Sequence, residues 1–116
     1  MRQHNYFVYL TTNNNKGVIY TGLTNNLPHR MIEHYLNKGT NSSFAGRFYC
    51  YNLLHMERFQ YIRDAYKREK QIKGWTRAKK VALIESENPT WRFLNKDIMD
   101  WPPAKDASPR RTFQRS

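Results

Sequence analysis

Two runs rich in aromatic and β-branched residues, Asn5-Tyr6-Phe7-Val8-Tyr9-Leu10-Thr11-Thr12 and Val18-Ile19-Tyr20-Thr21-Gly22-Leu23, are separated only by Asn13-Asn14-Asn15-Lys16-Gly17. Such side chains suit a pleated, half-buried surface, and Asn and Gly tolerate the positive φ that a tight reversal needs. The pair predicts an antiparallel hairpin, with Tyr9 and Tyr20 near each other across it. The next stretch is as constrained. Asn26 is placed to cap a helix that opens with Leu27-Pro28, where Pro removes no hydrogen bond that would otherwise form. This helix is expected from Leu27 to about Asn37, closed by Lys38-Gly39, with Gly39 as its C-terminal cap. Arg30 and His34 are four apart on it and share one face.

Further along, Phe48 to Met56 reads as a third strand, and Phe44 to Arg47 follows no clear period. From Gln60 to Gly74 the spacing turns helical, with Ile62, Ala65, Tyr66 and Ile72 recurring at threes and fours. Glu69 falls on that stripe, a carboxylate where the period asks for an apolar residue. A further helix is expected from Trp75 to about Glu85, with Ala78, Val81, Ala82 and Ile84 as inward candidates. Asn88-Pro89-Thr90-Trp91 and Leu94 are expected to dock back on the core. Residues 1–95 form the expected domain and 96–116 an extension, with a basic, disordered tail from about residue 102. There is no internal repeat.

Twenty Lys and Arg against nine Asp and Glu give a net charge of +11 in 116 residues, so the first partner to consider is a polyanion, most simply nucleic acid. The charge concentrates between Arg58 and Lys80. Arg63, Lys67, Lys70 and Lys73, then Arg77, Lys79 and Lys80, can form a face that neutralises phosphates without reading sequence. A merely solvated helix face is the plainer reading of such a run. Cys50 is the sole cysteine, which leaves no intramolecular disulfide and no Cys-based zinc site. No segment has membrane-spanning length and no signal-peptide pattern opens the chain, so a cytoplasmic, nucleoid-associated protein is expected.

The chemistry these residues allow is phosphoryl transfer. Glu69 can pair with a neighbouring Arg, or it can serve as a hard-metal ligand, since Mg²⁺ (or Mn²⁺) is commonly held by one carboxylate, waters and a substrate phosphate. Arg30 can clamp phosphoryl oxygens in a planar fork that Lys cannot reproduce. Tyr20 or Tyr9 can position or deprotonate a water, and His34 can assist or orient a tyrosine hydroxyl. Packing roles are the plainer alternatives for both tyrosines and for the histidine. His29 and His34 are five apart, a poor match to one helix face, and no HExxH, P-loop or nucleophile-elbow motif is present.

Phe7-Val8-Tyr9 and Tyr20-Thr21-Gly22, the run from Tyr20 to Leu27 followed by Arg30 and Glu33-His34, and Ala65 through Trp75 together resemble the GIY-YIG nuclease superfamily. The likeness is to its small single-domain bacterial YhbQ-like branch and continues through Arg77-Ala78-Lys79-Lys80, Leu83-Ile84, Asn88-Pro89 and Trp91, covering about residues 5 to 95. It implies an α/β (α+β) fold with a small three-stranded antiparallel sheet flanked by helices. It also implies divalent-metal-dependent cleavage of nucleic-acid phosphodiesters, most simply of DNA, with repair or recombination among the roles of relatives. Carried over by position, Tyr9 and Tyr20 are the motif tyrosines, Arg30 the phosphate-binding arginine, His34 the motif histidine and Glu69 the metal ligand. Phe7 stands where the first motif has Gly and Thr21 where the second has Ile; both leave the phenols in place. His29 and Arg47-Phe48 also depart from the branch, and bear on substrate contacts rather than on the reaction. A non-catalytic nucleic-acid-binding module, or a nuclease subunit that needs a protein partner for targeting, are the alternative functions.

Overall fold

A computed structural model describes residues 4–104 of the chain; most of the expected basic tail, 105–116, lies outside the described residues. Three strands, β1 (Tyr6–Thr12), β2 (Ile19–Thr24) and β3 (Asn52–Phe59), form one antiparallel sheet in the order β2-β1-β3. The helices are α1 (Leu27–Leu36), α2 (Phe44–Arg47), α3 (Ile62–Lys73), α4 (Arg77–Glu87) and α5 (Asn95–Ile98). This is the α+β architecture, a three-stranded sheet flanked by helices, that the sequence predicts.

Period-two alternation along the central strand divides the core in two. Val8 and Leu10 face one way and meet Leu54, Ala65, Ile72 and Ile84 beneath α3 and α4. Tyr9 faces the other way and meets Leu27, Met31 and Leu53, with Tyr20, Leu94, Ile98, Met99 and Trp101 packed around them. Each fully buried Leu, Ile or Met contributes on the order of 2 kcal/mol, and β1 lies between both clusters.

Local chemistry explains the connections. In the hairpin turn the Asn13 side-chain oxygen accepts from Gly17 N (2.9 Å) and Val18 N (3.1 Å). Lys16, rather than Gly17, takes the left-handed conformation there, at φ 62°. Asn26 caps α1 as expected, its side chain accepting from His29 N at 3.1 Å. Gly39 does adopt a positive φ of 83°, two residues beyond the Asn37 C-cap, and its N–H donates to Gly46 O at 2.8 Å.

Three expectations are corrected. The third strand begins at Asn52, not Phe48, because Ser43 caps the short helix α2 and Tyr49 reverses the chain at φ 59°. The aromatic run that suggested a strand faces solvent instead. On α3, Ala65 and Ile72 are buried, whereas Ile62 and Tyr66 are half exposed. On α4, Ala78 and Ala82 are exposed because they stand about 240° and 200° around the helix from the buried Ile84.

The segment after α4 is fastened to β3 by two buried asparagines. Asn88 Nδ2 donates to Leu54 O (3.1 Å), and Asn95 accepts from Leu53 N (2.8 Å) while donating to Tyr51 O (2.9 Å). Beyond it, Trp101 stands edge-on to Tyr35 of α1 with centroids 5.3 Å apart. Asn95→Ala removes two bonds to backbone groups that water does not reach, so it should destabilise the protein by about 2–4 kcal/mol in denaturant unfolding. A loss below about 0.5 kcal/mol would contradict this fastening.

Candidate active site

The hairpin and α1 converge on a cleft of about 290 Å³ lined by Tyr20, Arg30, Glu33, His34, Asn37 and Ser43. Tyr9 lies buried behind it, against Tyr20 and His34. The register sets Tyr9 directly opposite Gly22, with Tyr20 two residues along β2 on the same face. A Cβ at position 22 would sit 2.3 Å from the Tyr9 hydroxyl and 2.4 Å from Cζ, so the phenol crosses β2 only because residue 22 has no side chain. The two phenol rings lie 6.2 Å apart, and His34 stands 5.8 Å from Tyr9 and 5.5 Å from Tyr20.

Tyr9 is fully buried, and its hydroxyl lies 2.8 Å from His34 Nε2. Burial first, then the neighbouring Tyr20, holds the Tyr9 phenol well above its ordinary range. Burial also pulls the His34 imidazole down to about 4, reinforced by the Arg30 cation. Both groups are therefore neutral near pH 7. The neighbouring Arg30 cation works the other way on the phenol, but burial outweighs it. The Tyr9 hydroxyl and His34 Nε2 share one hydrogen bond, whose donor is set by the His34 tautomer. This neutral relay orients the phenol and makes it a poor base.

Arg30 is about one-third exposed and stands between this cleft and a second one of about 250 Å³ that reaches Tyr6, Leu23 and Ile62. Its Nε lies 2.9 Å from Glu33 Oε1, yet the N–H is not aligned with any acceptor. The contact is an ion pair without a hydrogen bond. Such a loosely held, partly dried guanidinium suits an incoming phosphate, which can take up the unused donors.

Glu69 lies on α3, whose neighbours Ala65 and Ile72 pack on the opposite face of the sheet from Tyr9. Its side chain is 12% exposed and pairs with Lys73 Nζ at 2.9 Å, one helical turn on, rather than with an Arg. That pairing engages Oε2 and leaves Oε1 without a protein partner among the described residues. No group of three or more His, Cys, Asp or Glu able to hold a metal occurs among the described residues. Glu69 is not among the residues that line the cleft with Tyr20, Arg30 and His34; a single carboxylate is the donor type that suits a hard cation otherwise held by waters and a phosphate.

The basic residues divide by what they already touch. Arg63, Lys67, Lys70 and Lys79 are exposed on α3 and α4, and Lys80 is half-buried. Lys70 lies over Tyr66 and Lys79 over Trp75. Lys73 is engaged by Glu69, and Arg77 clamps the hairpin turn by donating to Gly17 O (3.0 Å) and Lys16 O (3.1 Å). Gly22 and Glu33 belong to motifs that carry the resemblance, whereas Asn37 and Ser43 belong to none. Gly22 carried a further signal, because counting pairs back from the turn sets it against Tyr9.

The His34 shift has a consequence for stability. Its pKa is about 4 folded against 6.5 for the unperturbed side chain, so between these values the unfolded chain binds a proton that the folded chain refuses. The contribution is therefore complete above pH 6.5 and is lost as pH falls towards 4, amounting to about 3 kcal/mol in all. In urea unfolding, His34→Gln should lose about 2 kcal/mol less than wild type between pH 7 and pH 4.5. Parallel losses in the two proteins would contradict a buried, neutral His34.

Comparison with known proteins identifies a family. The GIY-YIG catalytic domain model matches residues 5–82. A UPF0213 protein of Bacillus pumilus is 35% identical over 85 residues, which span 73% of this chain and 84% of that protein. A UPF0213 protein of Natronomonas pharaonis is 36% identical over 69 residues, 60% of this chain and 79% of the relative. The solution structure of a UPF0213 protein from Bacillus halodurans aligns over 82% of this chain and 98% of its own, at 24% identity and a TM-score of 0.49. Tyr9, Tyr20 and Gly22 lie within the matched region, and so does α1. The chain belongs to the GIY-YIG family, in its UPF0213 (YhbQ-like) branch, a membership that supports a nuclease-type function on nucleic acid.

Proposed function

We propose that the chain is a Mg²⁺- or Mn²⁺-dependent nuclease that hydrolyses phosphodiester bonds, with DNA as its substrate. The observation that carries this reading is the Arg30 guanidinium, two-thirds buried between two clefts and close to the neutral Tyr9–His34 pair. Arg30 receives the scissile phosphate, which displaces Glu33 as its anionic partner. Tyr20 is the phenol that lines the cleft, so it orients the attacking water and, as the phenolate left once its own proton has gone to solvent, accepts the water's proton. Tyr9 keeps its own proton and, bonded to His34, ties β1 to the helix that carries Arg30. Glu69 is the metal ligand, through the oxygen that Lys73 leaves open. What a divalent cation supplies when bound there is charge neutralisation at the phosphoryl and leaving oxygens.

The exposed cations Arg63, Lys67, Lys70 and Lys79 hold the flanking backbone, with Lys80 beside them, while Lys73 and Arg77 serve first as internal partners. This arrangement favours affinity without sequence preference. Residues 1–95 carry the activity on this reading; a repair or recombination role and nucleoid localisation accord with it, as does targeting by a protein partner.

The test is cleavage of linear, nicked and branched DNA by wild type and Glu69→Gln, in Mg²⁺ and in chelator. Wild type should cut only with metal, and Glu69→Gln should be at least about 100-fold slower while binding DNA as well as wild type. Equal rates would remove Glu69 from the mechanism. Salt-dependent binding by both proteins without any cleavage would leave a nucleic-acid-binding module.

A further inference from the structure

Large aromatic side chains are left in water on α2 and on the two residues that follow it. Phe44 is 51% exposed, Phe48 36% and Tyr49 49%. The opposite side of α2 is firmly anchored. Ala45 and Gly46 are buried, and a Cβ on Gly46 would meet Asn37 O at 2.6 Å. Ser43 caps the turn through Gly46 N at 3.0 Å, and Cys50 N donates to Ala45 O at 2.8 Å. The exposed rings are thus presented by a fixed element, not by a loose loop.

Their placement is specific. The Phe44 ring stacks on Tyr20 with centroids 6.0 Å apart and planes 20° from parallel. Phe48 lies 4.7 Å from Phe44, and the Arg47 guanidinium stands 5.4 Å from the Phe48 ring. A contiguous series of rings therefore leads from the cleft outwards, Phe44 stacked on Tyr20 and Phe48 tilted 44° against Phe44, with a cation at its end. Flat apolar faces beside a phosphate site and a cation match one ligand chemistry, a nucleobase on its phosphodiester backbone. In a duplex the base faces are covered by their neighbours, so only an unpaired or unstacked base can use this surface.

We propose that Phe44, supported by Phe48 and Arg47, is a stacking platform for an unpaired nucleobase beside the phosphate at Arg30. The protein then selects single-stranded or frayed nucleic acid over intact duplex. The proposal depends on the nuclease reading above only for the position of the phosphate.

The experiment measures binding in chelator, where cleavage is off, of a single-stranded oligonucleotide carrying the fluorescent base 2-aminopurine and of its matched duplex. Wild type should quench the single strand and bind it more tightly than the duplex. Phe44→Ala should weaken single-strand binding about tenfold and abolish the quench, leave duplex binding within about twofold, and Phe44→Tyr should restore both. Unchanged quenching in Phe44→Ala, or equal weakening for both substrates, would overturn the platform. So would a dimer of wild type that Phe44→Ala converts to monomer without nucleic acid, because a second copy would then cover this face. Phe44-dependent quenching by a protein that cuts nothing in Mg²⁺ would support the platform and reject the nuclease reading.

Discussion

The passage of the Tyr9 phenol over Gly22 is the contact on which the rest of this site depends. Neighbouring strands approach within about 5 Å, and the phenol occupies the volume a Cβ would fill. From that position its hydroxyl reaches His34 on α1, tying the central strand to the helix that also carries Arg30. Burial then sets the electrostatics. It keeps the proton on Tyr9 and keeps His34 uncharged, so Arg30 is the cation of the Tyr9–His34–Arg30 group. A phosphate entering the cleft meets one oriented guanidinium and no competing imidazolium.

The two acidic residues that matter to the proposed chemistry are each held by a local cation, Glu33 by Arg30 and Glu69 by Lys73. Both pairs lie within one helix and are partly exposed, and pairs of this kind contribute only about 0.3–0.5 kcal/mol. A phosphate or a divalent ion can therefore replace them at small cost. The tighter electrostatics lie elsewhere. Arg68 donates to both oxygens of Glu57 at 2.8 and 3.0 Å, while the buried His55 bonds Glu57 at 2.8 Å. Burial pushes the Glu57 carboxyl up, and Arg68 and His55 together outweigh this and hold it below its usual range. That network joins β3 to α3 and belongs to the scaffold.

Strands, caps and the main helices were legible because each rests on local chemistry: Asn13 closing a turn, Asn26 capping α1, alternation along Tyr6–Thr12. Phe48 and Tyr49 misled because strand propensity describes a fit to a half-buried surface, and here those rings face water. Ala78 and Ala82 misled because a small residue satisfies either face of a helix. In the candidate site, Arg30 and His34 could be assigned one helical face from their spacing alone. The neutrality of His34 could not, since it follows from burial against Tyr9 across 25 positions of sequence. Asn37 and Ser43 gave no signal because polar residues at helix ends and in loops are common whether or not they line a cleft.

The most direct measurement is the DNA cleavage rate of Gly22→Ala, taken alongside its thermal unfolding. Added volume in a closed strand pair should cost about 1–3 kcal/mol, leaving a folded protein, while displacement of the Tyr9 hydroxyl should slow cleavage about 100-fold. A folded Gly22→Ala that cuts at the wild-type rate would contradict the account, because the position of the Tyr9 phenol would then be irrelevant to the site.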